Sequence, residues 1–320
     1  MQKQPLVIIT GPTATGKTKL SVMLAKAING SIISADSVQV YRGMDIGSAK
    51  ATLEEREGIR HYLLDIREPE ESFSVWDFQM EAKKAIAEIA AEGKIPILVG
   101  GTGFYIQALL YDIQFEEKPP TFAREKWERI AEEKGYDFLY EKLKEIDFAS
   151  TEKIHANNHK RILRALEYYE LTGEKISVHN ERESQRESAY QEFFYVLNMD
   201  RKLLYDRINQ RVDKMMEDGL LEEVKALYDK GYQPEMTSMQ ALGYKEILHY
   251  LSGKWSLEKA IEELKKGTRH FAKRQITWFK REKNVKWVLL DNYSFDYNVI
   301  CDTMRRDIIN HIQIEREKEL

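Results

Sequence analysis

Cysteine is almost absent: Cys301 stands alone among 320 residues. One thiol cannot close an intrachain disulfide, and a cysteine-based zinc module needs several, so both are excluded. The seven histidines form no HExxH-type metal motif. Long apolar runs are missing too. No stretch approaches the roughly 20 apolar residues that a membrane-crossing helix requires, and the N-terminal apolar segment is only a strand long. A soluble, cytoplasmic protein is the expectation, with no membrane contact and no obligate protein partner. There is no internal repeat, no low-complexity tract and no composition typical of wholesale disorder. Nor is there a large charge of one sign, since the formal net charge is −4. What remains, 42% hydrophobic and 32% charged residues, suffices for one large domain or two smaller ones with proper cores.

Against this background two polar clusters stand out. The first is Gly11-Pro12-Thr13-Ala14-Thr15-Gly16-Lys17-Thr18, which fits the GxxxxGK[ST] phosphate loop. Its glycines let backbone N–H groups wrap phosphate oxygens, Lys17 supplies charge, and the Thr18 hydroxyl can hold a magnesium ion. The context is right for such a loop. An apolar strand, Leu6 to Ile9, precedes it, and Leu20, Leu24 and Ile28 recur after it at helical spacing. The helix start then adds free N–H groups and a positive dipole end. The second cluster is Ser34-Ala35-Asp36-Ser37-Val38-Gln39-Val40-Tyr41-Arg42, which puts a carboxylate where a strand should end. In open parallel sheets ligands sit beyond the carboxyl ends of the strands, so Asp36 would face whatever the loop holds. Ionised at neutral pH, it can serve as magnesium carrier, substrate anchor or base.

Further apolar segments predict strands at Ile32 to Ser34, Tyr62 to Ile66, Ile95 to Val99, Phe193 to Met199 and Val285 to Leu290. With the first strand they predict an α/β fold, a P-loop NTPase-like parallel sheet flanked by helices. Between Pro119-Pro120 and residue 192 the strands stop, and Arg124 to Ile146 and Asn158 to Leu171 read as helices. The expected organisation is therefore a core of residues 1–115 and 193–320 with a helical insertion domain at 116–192. The charged tail, Glu315 to Leu320, is expected to fray.

Gly100-Gly101-Thr102-Gly103 places a second flexible loop at the same sheet edge, although glycines also serve simply to start a helix. Arg207 and Arg211, one helical turn apart, can reach one anion together or pair with acids such as Asp213. Residues 265–283 carry eight Lys or Arg and one acid. On a helical wheel Lys266, Arg269, Lys273, Lys280 and Arg281 fall on one side, with Leu264, Phe271, Gln275, Trp278 and Phe279 opposite. Such a face is either solvated or a phosphate-backbone contact surface.

Taken in order, GPTATGKT, SADSVQVYRGMDIGSAK, HYLLDI from His61, VGGTGFYIQALL from Val99, RALEYYELTGEKIS from Arg164, RVDKMMEDGLLEEV from Arg211, ALGYKEI from Ala241 and TRHFAKRQITWFKR from Thr268 resemble the bacterial type of the tRNA dimethylallyltransferase (tRNA isopentenyltransferase) family. The resemblance runs over nearly the whole chain; Thr15, Ser48, Ala51 and Phe104 depart mildly from its usual residues. It implies transfer of a dimethylallyl group from dimethylallyl diphosphate to the exocyclic amine of the adenine immediately 3′ of the anticodon in tRNA, with pyrophosphate leaving. The phosphate loop would then hold a prenyl diphosphate with Mg2+, not ATP. The target base would be extruded into a channel that the donor enters from the other side.

The same resemblance makes Asp36 the base and sets Thr18 and Arg211 against the diphosphate. It marks Asp36, Ser37, Val38, Gln39, Thr102, Arg124, His159, Lys160, Arg161, Ile162 and Leu163 as tRNA contacts. With RNA implied, Lys266, Arg269, Lys273, Arg274 and Gln275 join them, and the insertion would grip the anticodon stem-loop. Three other readings compete: an adenylate isopentenyltransferase acting on free nucleotide, a P-loop nucleotide or nucleoside kinase, and a non-catalytic tRNA-binding protein.

Overall fold

The computed structural model describes residues 3–115 and 122–317; Pro119 and Pro120 lie outside them. Six parallel strands form one sheet: β1 (Pro5–Thr10), β2 (Gly30–Ala35), β3 (His61–Tyr62), β4 (Ile95–Gly100), β5 (Gln191–Asn198) and β6 (Lys286–Leu289). Their order across the sheet is β3-β2-β4-β1-β5-β6. β1 is central, pairing Ile9 with Val99 of β4 on one side and with Tyr195 of β5 on the other. Leu6, Val7, Ile8 and Ile9 are fully buried, as a strand covered on both faces requires. The chain leaves β1 toward β2 and returns on the other flank as β5, so the carboxyl end of β1 is a switch point where ligand crevices form.

The helices follow in chain order as α1 (Lys17–Ile28), α2 (Leu53–Arg56), α3 (Val75–Ala91), α4 (Gly103–Leu110), α5 (Phe122–Ile146), α6 (Phe148–Thr151), α7 (His159–Thr172), α8 (Ile176–Ser184), α9 (Arg201–Glu217), α10 (Leu220–Asp229), α11 (Tyr244–Leu251), α12 (Leu257–Phe279) and α13 (Tyr297–Glu317). The apolar stripe of α1 is buried as its spacing predicts, through Leu20, Leu24 and Ile28. None of the helices among the described residues is long and apolar enough to cross a membrane. The tail expected to fray is helical as far as Glu317, and residues 318–320 lie outside the description.

Contacts divide the chain into two compact units, Met1–Leu110 with Ala189–Leu320, and Tyr111–Ser188. The sequence reading placed the cuts at 115 and 193. The second unit is helical and has its own core of Trp127, Ala131, Leu139, Leu143, Ile162, Leu163, Ala165 and Leu166. Ile162→Ala should therefore destabilise this unit by about 2–5 kcal/mol, because the cavity cannot fully collapse. Denaturant melting followed by amide exchange within 111–188 would read it.

Three expectations need correction. The helix foreseen over Arg124 to Ile146 is broken at Gly135, whose φ of 82° and ψ of 165° are not helical. The strand foreseen over Tyr62 to Ile66 ends at Tyr62, because Leu63 (φ 63°) and Asp65 (φ 56°) turn left-handed. The N–H groups of Asp65, Ile66 and Arg67 instead bond the carbonyls of Gln39 and Val40, bracing the segment after β2. Finally, α12 stops at Phe279 with Lys280 as its cap, and its buried stripe contains Ala272 where Phe271 was expected.

Candidate active site

The phosphate loop spans the end of β1 and the start of α1. Gly16 caps α1 with φ 77°, and a Cβ there would lie 2.3 Å from the Tyr297 hydroxyl, so glycine is required on two counts. The first helical N–H groups of α1 point out of the helix end, as an anion site needs. The loop is braced by its own and distant groups. The Thr15 hydroxyl donates to the Pro12 carbonyl at 2.9 Å, and the Tyr297 hydroxyl donates to the Thr15 carbonyl at 3.1 Å. Thr10, at the end of β1, donates to the Gly100 carbonyl of β4 at 2.7 Å. Lys17 Nζ donates to the carbonyls of Gly11 (3.0 Å) and Pro12 (2.8 Å).

Asp36 follows β2 and Arg211 projects from α9, and with Lys17 they form one electrostatic cluster. Asp36 is half-buried, crowded by protein yet still reached by solvent. One carboxylate oxygen accepts from the N–H of Val38 (2.9 Å) and of Gln39 (3.4 Å), which fixes its orientation. Burial pushes its pKa above the ordinary carboxylate range, against the pull of those two N–H groups and of Lys17 and Arg211. Lys17 is pushed down to about 7, by burial first and by the Arg211 charge second, with Asp36 opposing. Burial also lowers Arg211, which remains charged throughout the physiological range. One carboxylate with basic character thus lies with Lys17 and Arg211 beside an anion cradle.

The segment carrying Asp36 is held by devices that the sequence reading missed. A Glu223 carboxylate accepts from the N–H groups of Asp45 (3.0 Å), Ile46 (2.7 Å) and Gly47 (3.1 Å), and from the Tyr244 hydroxyl (2.7 Å). Buried Lys50 donates to the Tyr41 carbonyl (2.8 Å) and to the carboxylates of Asp45 and Asp65 (both 2.5 Å). Glu223 and Tyr244 lie in two of the matching motifs, so a signal existed, but nothing local told that they meet. Tyr297 gave no signal.

The other expected site residues divide into free and engaged groups. Ser37 is exposed and Val38 half-buried, whereas Gln39 is tied up by its own side chain, accepting from Ser34 (2.9 Å) and donating to the carbonyls of Ser48 (3.2 Å) and Ala49 (3.3 Å). Thr102 opens α4, its N–H donating to the Ala35 carbonyl at 3.2 Å. Arg207 lies over the Phe295 ring, 4.7 Å from its centre. Asp213, foreseen as an arginine partner, instead pairs with Lys265 at 2.5 Å.

On α12, Lys266, Lys273 and Arg274 are exposed, while Arg269 donates to Asn209 of α9 at 2.6 Å. Gln275 does not join them: it is 5% exposed and faces inward. In the helical unit, His159, Lys160 and Arg161 are exposed at the start of α7, with His159 stacked 3.7 Å from Tyr136. Arg124 pairs with Glu128 at 2.6 Å. Ile162 and Leu163 are core residues, which puts their side chains out of reach of a ligand on the surface.

Thr18, half-buried at the start of α1, has a hydroxyl of the kind that can bind a magnesium ion. Among the described residues no group of three or more His, Cys, Asp or Glu could hold a metal. That donor set fits an ion shared with a ligand's phosphate oxygens, the arrangement magnesium prefers.

Comparison with known proteins shows the family. The family model described as IPP transferase matches residues 39–282. A tRNA dimethylallyltransferase of Lachnoclostridium phytofermentans is 55% identical over 303 residues, covering 94% of this chain and 97% of the relative. One from Bacillus anthracis is 52% identical over 288 residues, covering 90% of this chain and 91% of the relative. Among solved structures, the full-length tRNA isopentenylpyrophosphate transferase of Bacillus halodurans superposes with a TM-score of 0.73 at 44% identity, over 98% of this chain and 100% of that one. A eukaryotic dimethylallyltransferase acting on tRNA gives 0.81 at 32% identity, over 96% and 80%. A phosphate loop facing a basic carboxylate, on a sheet shared with these prenyltransferases along nearly its full length, leaves one assignment: the chain belongs to the tRNA dimethylallyltransferase family.

Proposed function

We propose that this chain transfers a dimethylallyl group from dimethylallyl diphosphate to the exocyclic amine of the adenine immediately 3′ of the anticodon in tRNA. The observation that carries the reading is Asp36, a carboxylate of raised basicity held by the Val38 N–H and coupled to Lys17 of the phosphate loop and to Arg211. In the reaction the adenine nitrogen forms a bond to the first carbon of the dimethylallyl group as the carbon–oxygen bond breaks. Pyrophosphate leaves with the electron pair, and the amine proton passes to Asp36. An adenine amine is a weak nucleophile because its lone pair is drawn into the ring, so proton removal in step with bond formation matters. Lys17, Arg211 and the free N–H groups of α1 stabilise charge growing on the leaving diphosphate. Thr18 would hold a magnesium ion there, which would supply positive charge against the leaving diphosphate.

The test is to offer labelled dimethylallyl diphosphate with whole tRNA and with AMP. Label in tRNA alone supports the reading. Label in AMP would make the acceptor a free nucleotide, and ATP consumption without label transfer would make the protein a kinase.

For RNA binding we place His159, Lys160 and Arg161 of α7 and Arg124 against the anticodon stem-loop, and Ser37, Val38 and Thr102 near the target nucleotide. A cytoplasmic location goes with such a substrate. Lys266, Lys273 and Arg274 would each neutralise one phosphate. Replacing all three by alanine should weaken tRNA binding at low salt and flatten the log–log salt dependence by about 2 units, at roughly 0.7 for each single-strand contact. Preference among anticodon loops should persist, since phosphate contacts position RNA without reading bases. Binding titrations across a salt series decide it: an unchanged slope would mean that this face is merely solvated.

A further inference from the structure

Helix α12 exposes Lys266, Lys273 and Arg274 but carries one polar residue on its buried stripe. Both ends of the Gln275 amide are used. Its oxygen accepts from the N–H of Thr13 in the phosphate loop at 3.1 Å, and its nitrogen donates to the carbonyl of Gly101 at 3.1 Å. The fit leaves no room for a side chain at Gly101, where a Cβ would lie 2.0 Å from the Gln275 nitrogen. The helix itself is held from the other side. Arg269 donates to Asn209 at 2.6 Å and Lys265 pairs with Asp213 at 2.5 Å, which ties α12 to α9, the helix that carries Arg211.

We infer that Gln275 is a positioning residue for the diphosphate, joining the phosphate loop to the Gly100–Gly103 loop and both to α12. It touches neither the reacting atoms nor the RNA. By taking up the Thr13 N–H it fixes the first half of the loop, so that Lys17 and the free N–H groups of α1 meet the anion already arranged. A loop that must be ordered on binding gives up part of its affinity to that ordering. The amide suits the place, because it offers an acceptor to Thr13 and a donor to Gly101 at once. Its sequence position, within a basic run, suggests an RNA contact; its burial assigns it to the donor side.

The inference takes from the prenyl-transfer reading only the identity of the diphosphate, so inorganic pyrophosphate with magnesium serves as the direct probe. Gln275→Met keeps length and removes both hydrogen bonds. Calorimetric titration should show pyrophosphate binding weakened about tenfold or more, since two buried polar groups lose their partner. The KM for dimethylallyl diphosphate should rise in parallel, with kcat reduced less than about threefold and tRNA affinity within about twofold of wild type.

Pyrophosphate affinity unchanged in a folded Gln275→Met variant would overturn the inference, as would a loss confined to tRNA binding. Should that variant fail to fold, amide exchange on the wild type still decides: Thr13 must exchange slowly without ligand, and rapid exchange sinks the clamp. A wild type that binds pyrophosphate but transfers no prenyl group, with binding still lost in the variant, would overturn the proposed reaction and leave Gln275 in its role.

Discussion

Asp36→Ala should lower prenyl transfer by roughly 10²–10⁴-fold while leaving tRNA affinity close to normal. The range is that of a lost general base, and it applies because the carboxylate acts on the reacting amine and not on the phosphates that dominate RNA affinity. Asp36→Asn sharpens the test: it keeps an acceptor for the N–H groups of Val38 and Gln39 but cannot take a proton. It should be nearly as impaired as alanine. The pH profile follows from the direction of the shift. Burial raises the carboxyl's pKa, so the active, ionised form is lost on acidification earlier than an ordinary carboxylate would be. The acid limb of the rate profile should stand above the ordinary carboxylate pKa of about 3.9 and vanish in Asp36→Asn. Single-turnover rates for the three proteins would check it, and near-normal turnover in either variant would remove Asp36 from the base role.

Lys17→Ala should reduce kcat/KM for the prenyl diphosphate by roughly 10²–10³-fold, the size expected when one preorganised donor to a developing anion is removed. The wild-type residue should also reveal itself through protons. Its pKa stands at about 7 in the ligand-free protein, because burial and the neighbouring Arg211 disfavour the ammonium form. A bound diphosphate restores the preference for that form and raises the pKa. At pH 8 most Lys17 is neutral before binding and charged after it, so binding takes up close to one proton; well below pH 7 it is already charged and contributes none. Calorimetry at pH 8 in buffers of different ionisation enthalpy would count the protons. No uptake by the wild type, or equal uptake by Lys17→Ala, would show that another group answers to the ligand.

The parts of this site that could be read from the chain are those whose meaning is local. The phosphate loop carries its strand before it and its helix after it, and Asp36 stands one residue beyond a strand that six apolar or small residues define. Gln275 was misread because wheel position gives a side, not a neighbour: the pattern set it opposite the lysines, and only the fold shows Thr13 and Gly101 waiting there. Glu223 is 176 residues from Gly47, whose N–H it accepts, and no spacing rule spans such a distance. The short β3 failed for another reason, since Leu63 is apolar enough for a strand yet its backbone turns left-handed. Ile162 and Leu163 show the limit of resemblance, which marks a stretch of chain as RNA-facing without saying which of its side chains point the other way.

The strand order bears on how the chain can be made. β1 needs β4 and β5 as neighbours, and between the last two lies the whole helical unit, so β5 begins only at Gln191. A nascent chain emerging from the ribosome thus exposes one edge of its buried central strand while residues 111–188, which own a separate core, are free to fold first. The Tyr297 hydroxyl that braces the phosphate loop arrives later still. A growing chain would acquire its diphosphate grip only after Tyr297 has emerged, and the unpaired flank of β1 would be the surface that chaperones must cover until β5 arrives.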